Sequence, residues 1–359
     1  MRTVPPTPAP PPVQVTLGID THADVHVAAA LDAVGRLLGT RTVPTTPGGY
    51  AALVAWAQGH GDLRRVGVEG AGGYGLGLVR WLRARGVAVV EVERPKRQLR
   101  ARHGKSDPVD AEAAARAVLA GTATGEAKAG DGPVEMIRAL RVARQSAVKA
   151  RVQAANQLRA LVVTAPDALR ARLRLLTRPG LVAAAARLRA PAQPHTPADA
   201  TRLALRSLAR RHQALDREVA ALDGVLGPLV AATAPALVAV KGVGPDTAGA
   251  LLTAAGDNPE RLRGEAAFAR LCGVAPLPAS SGKTVRHRLS RSGNRDANRA
   301  LYLVVIRRLR WDAPTRAYVA RRTAQGRTLP EIVRCLKRYV ARELYPLLVP
   351  PAPAAAVAA

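Results

Sequence analysis

Acidic residues are scarce in this chain. Asp and Glu total 26 against 54 Lys and Arg, which leaves a formal net charge of +28 over 359 residues. A surplus of that size repels itself unless a polyanion or an anionic surface is the usual partner. Its amount and distribution point to nucleic acid. Aromatic residues make up only 3%, so there are few platforms on which unpaired bases can stack. Cysteine occurs twice, at Cys272 and Cys335, with no Cys-x-x-Cys spacing. That argues against a disulfide framework and a structural zinc, and it fits a reducing compartment. No apolar run reaches the roughly 18–20 residues needed to span a bilayer, so no membrane partner is expected. Residues 1–12 are Pro-rich, with a single Arg and no apolar segment. They read as a disordered tail and not as a signal peptide. A cytoplasmic, nucleoid-associated protein is the expectation from these absences.

Hydrophobic residues are plentiful, at 48%, enough for two domains with a sizeable core in each. Residues 13–125 carry the first. Val13–Asp20, His26–Leu31 and Arg36–Val43 alternate as strands, the last two joined by the turn Asp32-Ala-Val-Gly35. Helix-like periodicity over Thr46–Gln58 and Gly73–Arg85 is interleaved with apolar strands at Arg65–Glu69 and Val87–Val92, and a further helix follows. Three strands, then helix, strand, helix, strand, helix is the order of an α/β ribonuclease-H-like fold. Residues 133–228 turn helical and basic, with a Pro-rich break at Ala190–Pro197. Two long helices joined in this way predict an extended antiparallel hairpin or coiled-coil connector. The last domain, residues 234–348, is expected to be mostly α-helical, and residues 349–359 read as a second disordered tail.

Four acids of the first domain sit where a two-metal site needs them. Asp20 ends the first strand and Glu69 the fourth, while Asp107 and Asp110 open the helix after the fifth. In this topology strands one and four end side by side and the last helix crosses over them. Asp107 and Asp110, three apart, share a helix face. Two divalent ions about 3.5–4 Å apart require hard oxygen ligands drawn from several elements. Structural readings compete: Asp107 before Pro108 has the form of an N-cap, and Asp20 that of a turn residue. Glu69, closing an apolar strand before Gly-Ala-Gly-Gly, has no obvious structural duty. The run Asp20-Thr-His22-Ala-Asp24-Val-His26 has the composition of a mononuclear metal cluster, but strand alternation and the turn scatter those groups.

In the last domain, Lys241-Gly242-Val-Gly244-Pro has the form of a helix–hairpin–helix turn, whose backbone N–H groups hold a DNA phosphate without reading sequence. Downstream, Ser280-Ser281-Gly282-Lys283 is followed by Arg286, Arg288, Arg291, Arg295 and Arg299. Seventeen Lys or Arg stand between Lys283 and Arg342 against three acids. Such a loop is able to hold a serine hydroxyl against a scissile phosphate, with guanidinium groups stabilising the transition state. It is equally able to bind DNA passively.

These stretches together resemble the DEDD transposases of the insertion-sequence-110 family, relatives of the Piv pilin-gene invertases. The resemblance is carried by Gly18–His26, Val68–Tyr74, Gly104–Ala111, the Lys241–Asp257 hairpin and Cys272–Arg299, in family order. It implies that Asp20, Glu69, Asp107 and Asp110 are the Mg²⁺- or Mn²⁺-binding tetrad of a RuvC-like domain. It also implies that a C-terminal serine attacks DNA to form a phosphoserine intermediate. Aligning on the Ser-Gly pair makes that serine Ser281, with Ser280 as the alternative. Double-stranded DNA at element ends and target, a structured guide RNA and a homo-oligomer (dimer or tetramer) are the partners it implies; the low aromatic content points to a guide held by its backbone and duplex shape. The competing readings are a metal-dependent, Holliday-junction-resolvase-like nuclease and a non-catalytic DNA- or RNA-binding protein.

Overall fold

The computed structural model describes residues 13–93, 106–284, 286–290 and 292–349. The terminal tails 1–12 and 350–359 and the candidate DNA contact Arg291 lie outside the described residues. Contacts divide the chain into two units. The first runs to Gly132 and takes back Ala255–Ala267; the second comprises Pro133–Ala254 and the residues from Phe268 onward.

The first unit is built on a mixed sheet. Its strands are β1 (Gln14–Thr21), β2 (Val25–Leu31), β3 (Leu37–Pro44), β4 (Asp62–Glu69), β5 (Val89–Val92) and β6 (Gly125–Glu126), in the order β3-β2-β1-β4-β5-β6. β1–β2, β2–β3 and β5–β6 are antiparallel, while β1–β4 and β4–β5 are parallel. Alternation sends Val15, Leu17 and Ile19 of β1 to one face with Val66 and Val68 of β4. There they meet Tyr50, Leu53 and Ala57 of α1 (Pro47–Gln58) and Leu78, Val79 and Leu82 of α2 (Leu76–Arg83). The opposite face is covered by α3 (Asp107–Leu119), through Ala111 against Val27 and Ala29, and through Ala114 and Val118 against Val92. A strand buried on both faces reads as an apolar run, as β1 and β4 do near their ends. The returning segment is pinned by a buried Asn258. Its amide donates to Ala127 O (3.1 Å) and accepts from Ala129 N–H (2.9 Å).

The second unit is helical. α4 (Pro133–Val163) and α7 (Pro197–Thr233) pair antiparallel through Arg144–Asp223 and Arg151–Asp216, each two-turn step along α4 matched by an equal step back along α7. Between them, α5 (Asp167–Leu173) and α6 (Arg178–Ala186) close an apolar cap around Leu158, Leu173, Leu181 and Leu205. The chain continues through α8 (Pro235–Val238), α9 (Pro245–Ala255) and α10 (Glu265–Leu271). A short antiparallel ribbon follows, β7 (Leu277–Pro278) and β8 (His287–Arg288), and then α11 (Arg295–Trp311), α12 (Ala313–Ala324) and α13 (Leu329–Leu348). Capping marks these last helices in the sequence. Asn294 accepts from Ala297 N–H, Asp312 from Thr315 N–H, and Thr328 with Glu331 forms a capping box before α13. Among the described residues no helix is long and apolar enough to cross a membrane.

Candidate active site

β1 and β4 run parallel with Ile19 opposite Val68, so Asp20 and Glu69 close neighbouring strands side by side. Alternation puts both acids on the face that also carries Gly18 and Gly67. α3 rests on those glycines. A Cβ on Gly18 would stand 2.1 Å from Ala111 O and Ala115 N, and one on Gly67 would stand 2.6 Å from Val118 Cγ2. Glycine alone permits a helix backbone so close to a strand. The approach brings the first turn of α3, with Asp107 and Asp110, over the strand ends. Ser106, and not Asp107, takes the N-cap position of α3, so the expectation that Asp107 caps the helix is not met.

Three of the four acids are covered: Asp20, Glu69 and Asp110 are 8%, 7% and 4% exposed. Asp107 stands at the rim. Burying a carboxylate costs several kcal/mol unless a cation or hydrogen bonds compensate. Burial accordingly pushes the Asp20 carboxyl above its ordinary range. His22 opposes this, and the neighbouring charges of Asp107 and Asp110 add to it. Thr21 Oγ donates to Glu69 O at 2.8 Å and ties the two strand ends together.

Sequence patterning missed one group of this site. His22 Nε2 lies 3.2 Å from Asp20 Oδ2 and 3.4 Å from Asp107 Oδ2. Ligand atoms of Asp20, His22 and Asp107 all fall within 4.8 Å of one another, a span that one cation bridges. The scattering expected of the Asp20–His26 run holds for two members only. Asp24 is exposed, and His26 is buried on the other face of the sheet, stacked 5.8 Å from Tyr50. His22 escapes it because β1 ends at Thr21 and the chain turns back, with His22 N–H donating to Val25 O. The usable signal was a histidine two residues beyond a strand-ending aspartate. Hard carboxylate oxygens with one imidazole suit a divalent ion.

The serine pair lies not in an open loop but on the ribbon of the second unit. Ser281 and Thr284 exchange backbone hydrogen bonds at 3.1 Å across the tip, where Gly282 takes φ +53°. The Ser280 hydroxyl is 3.3 Å from Arg286 N, which donates to it, and faces the strand backbone. Ser281, at the tip, is exposed, as is Ser280. The ribbon's base is clamped. Gly273 and Gly293 (φ +64° and +97°) pack backbone to backbone, since a Cβ on either would meet main-chain atoms at 2.5–2.6 Å. The Asn298 amide donates to Cys272 O (2.8 Å) and Gly273 O (3.2 Å), and the buried Lys337 Nζ donates to Asn298 Oδ1 (2.9 Å).

Of the candidate phosphate contacts, Lys283, Arg286 and Arg288 are exposed along the ribbon, and Arg295 and Arg299 are exposed in the first turns of α11. The Lys241 turn stands apart from them, at the far end of α11. There Arg307 donates to Gly242 O (3.0 Å) and Arg308 to Lys241 O (3.1 Å), with Gly242 at φ +90° and Val243 packed inward.

Residues 17–165 match the DEDD transposase model of IS110, described as a transposase. Residues 234–320 match the model described as the transposase IS116/IS110/IS902 family. The chain belongs to the IS110 family of transposases. The first IS110 match spans Asp20, His22, Glu69, Asp107 and Asp110; the second spans the Lys241 turn, the serine ribbon and α11. An IS110 relative, the insertion element IS110 uncharacterized 43.6 kDa protein of Streptomyces coelicolor, is 31% identical over 145 residues. That match covers 40% of this chain and 36% of the relative, so it spans little more than a third of the relative's length. DEDD membership implies use of a divalent metal, and the carboxylate–imidazole cluster is of the right chemistry to hold one.

Proposed function

We propose that this IS110-family chain is a DNA transposase that cuts and rejoins the DNA of a mobile element. In this reading residues 13–125 form a RuvC-like, ribonuclease-H-like domain. Residues 133–228 are a connector, and residues 234–348 are a transposase domain with a helix–hairpin–helix turn at Lys241–Gly244. The observation that carries the reading is the approach of Asp107 and Asp110, in the first turn of a glycine-seated helix, to the strand ends that carry Asp20 and Glu69, in a chain otherwise poor in acids.

Asp20, Glu69, Asp107 and Asp110, with His22 beside them, would hold Mg²⁺ or Mn²⁺, which supplies positive charge at the oxygens whose bonding changes. Ser281 Oγ forms a bond to the scissile phosphorus, and the bond from phosphorus to the 3′-oxygen breaks. The proton given up by the serine balances the one taken by the leaving 3′-hydroxyl, and the 5′ end is retained as a phosphoserine ester. Attack by a second 3′-hydroxyl releases the serine and rejoins the strand. Arg286, Arg288, Arg295 and Arg299 neutralise the phosphate, and Lys241, Gly242 and Gly244 hold the duplex backbone. The Ser280 hydroxyl faces the backbone of its own ribbon, which favours Ser281. Family resemblance supports a structured guide RNA and an oligomer in which one subunit's serine serves another's carboxylates.

The test is a covalent-adduct assay with purified protein, element-end DNA, flanking RNA and Mg²⁺, resolved on a denaturing gel. Ser281→Ala and Asp20→Ala should each abolish a metal-dependent adduct, while Ser280→Ala retains it. Metal-dependent cleavage that survives Ser281→Ala with no adduct would transfer the assignment to a resolvase-like nuclease.

A further inference from the structure

A cleft of about 570 Å³ opens in the second unit between β8, the end of α12 and the first half of α13. Six arginines line it. Arg286 and Arg288 come from the ribbon, Arg322 and Arg327 from the end of α12 and the turn behind it, and Arg334 and Arg338 from α13. The one acid in the lining is Glu331. It is already committed to the capping box through Thr328 N–H and Oγ, at 3.0 and 2.8 Å, with Arg327 at 3.6 Å. Six guanidinium groups gathered around one volume, with a single carboxylate in its described lining, concentrate positive charge there. Charge of that density suits a ligand bearing several negative charges.

Tyr339 shares the cleft, half exposed, its ring held edge-on against Tyr318 at 5.7 Å. His287 of β8 lines the opposite side. In a chain with 3% aromatics, two rings among six arginines are a concentration. Repeated cations with a planar platform are the chemistry of single-strand binding, where phosphates are neutralised and bases stack. The volume falls within the roughly 300–1,000 Å³ range of small-ligand pockets, which suits one or two nucleotides. Four of the arginines and Tyr339 lie beyond residue 320, past the segments that match family models.

We propose that this cleft holds the sugar–phosphate backbone of a single nucleic-acid strand, with an unstacked base on Tyr339, beside the ribbon that carries Ser281. The inference rests on the reading that the chain acts on nucleic acid, and it assigns the single-stranded part of that ligand to a place. A DNA strand freed at the cut and an unpaired stretch of guide RNA share this chemistry.

Fluorescence anisotropy on the full chain tests it, with labelled single-stranded DNA, single-stranded RNA and duplex DNA of the same mixed sequence, over a salt series. The double variant Arg322→Ala/Arg334→Ala should weaken single-strand binding tenfold or more near physiological salt. It should also flatten the log–log salt slope by about 1.4, at roughly 0.7 per phosphate, with duplex affinity changed less than about twofold. Tyr339→Leu should weaken single-strand binding with the salt slope unchanged, and Tyr339→Trp, which keeps a ring in the packing, should restore it. The larger loss in the DNA or the RNA arm identifies the strand. Unchanged single-strand binding in the double variant, or equal losses on single strand and duplex, would overturn the cleft assignment while leaving the nucleic-acid reading in place. Failure of the unsubstituted protein to bind any of the three ligands would overturn both.

Discussion

Asp20 concentrates the chemistry of the first unit in a single carboxyl. It is covered by α3, it faces two like charges, and among the described residues His22 opposes them. Removing its charge should therefore help the metal-free protein and harm the loaded one. Asp20→Asn is expected to raise the thermal midpoint without metal by about 2–4 °C, equivalent to about 1 kcal/mol in a domain of this size. It should also abolish the gain in midpoint that millimolar Mg²⁺ gives the unsubstituted protein. Differential scanning calorimetry with EDTA or Mg²⁺ measures both, and a retained Mg²⁺ gain in the variant would count against Asp20 as a ligand. The four acids were legible as strand-ending and helix-opening residues. His22 was not, because its place depends on a turn that reverses direction directly after Thr21, and periodicity says nothing about where a side chain lands after a reversal.

Among the elements, α3 is seated by absence of side chains. The 2.1 Å approach at Gly18 leaves no room for a methyl group, so Gly18→Ala must lift α3 from β1 and draw Asp107 and Asp110 away from Asp20. A destabilisation of about 2–3 kcal/mol is expected from the overpacking. With it should go a loss of the Mg²⁺ response, read by chemical denaturation with and without metal. α12 offers a pH test. Hydrogen bonds from Thr315 hold the Asp312 carboxyl below the ordinary aspartate value of 3.8. A lowered folded value means that the carboxylate stabilises the fold above 3.8 and that this contribution is lost as pH falls through the lower folded value. Asp312→Ala should cost about 1 kcal/mol at neutral pH. In denaturation series the two proteins should converge once the pH is below that folded value. The eight main segments of the first unit could be read in advance, but not the N-cap of α3, which Ser106 takes in place of Asp107. β6 and the β7–β8 ribbon could not, because strands of two residues carry no alternation. The return of Ala255–Ala267 to the first unit depends on the Asn258 side chain bonding main-chain groups remote in sequence, which no local pattern records.

Over the whole molecule, the proposed reading and a net charge of +28 together make affinity for DNA a function of salt before it is a function of sequence. If six to ten phosphates are engaged, binding should weaken by about 10³–10⁵ between 50 and 200 mM salt. Titration of duplex DNA at several salt concentrations gives the slope, and a slope near zero would remove phosphate neutralisation as the basis of binding. The sequence by itself determined the sign of the chain's own charge, the succession of strands and helices in the first unit, and which acids close its strands and open its last helix. Each of these is written in composition or in a repeat of two or 3.6 residues. Only the tertiary structure decided that His22 joins Asp20 and Asp107, that the Ser280 hydroxyl bonds the backbone of its own ribbon, and that six arginines surround one cleft. Those outcomes depend on how closely backbones approach where glycine allows it, at Gly18, Gly67, Gly273 and Gly293, and on contacts between residues far apart in the chain, which a linear pattern does not encode.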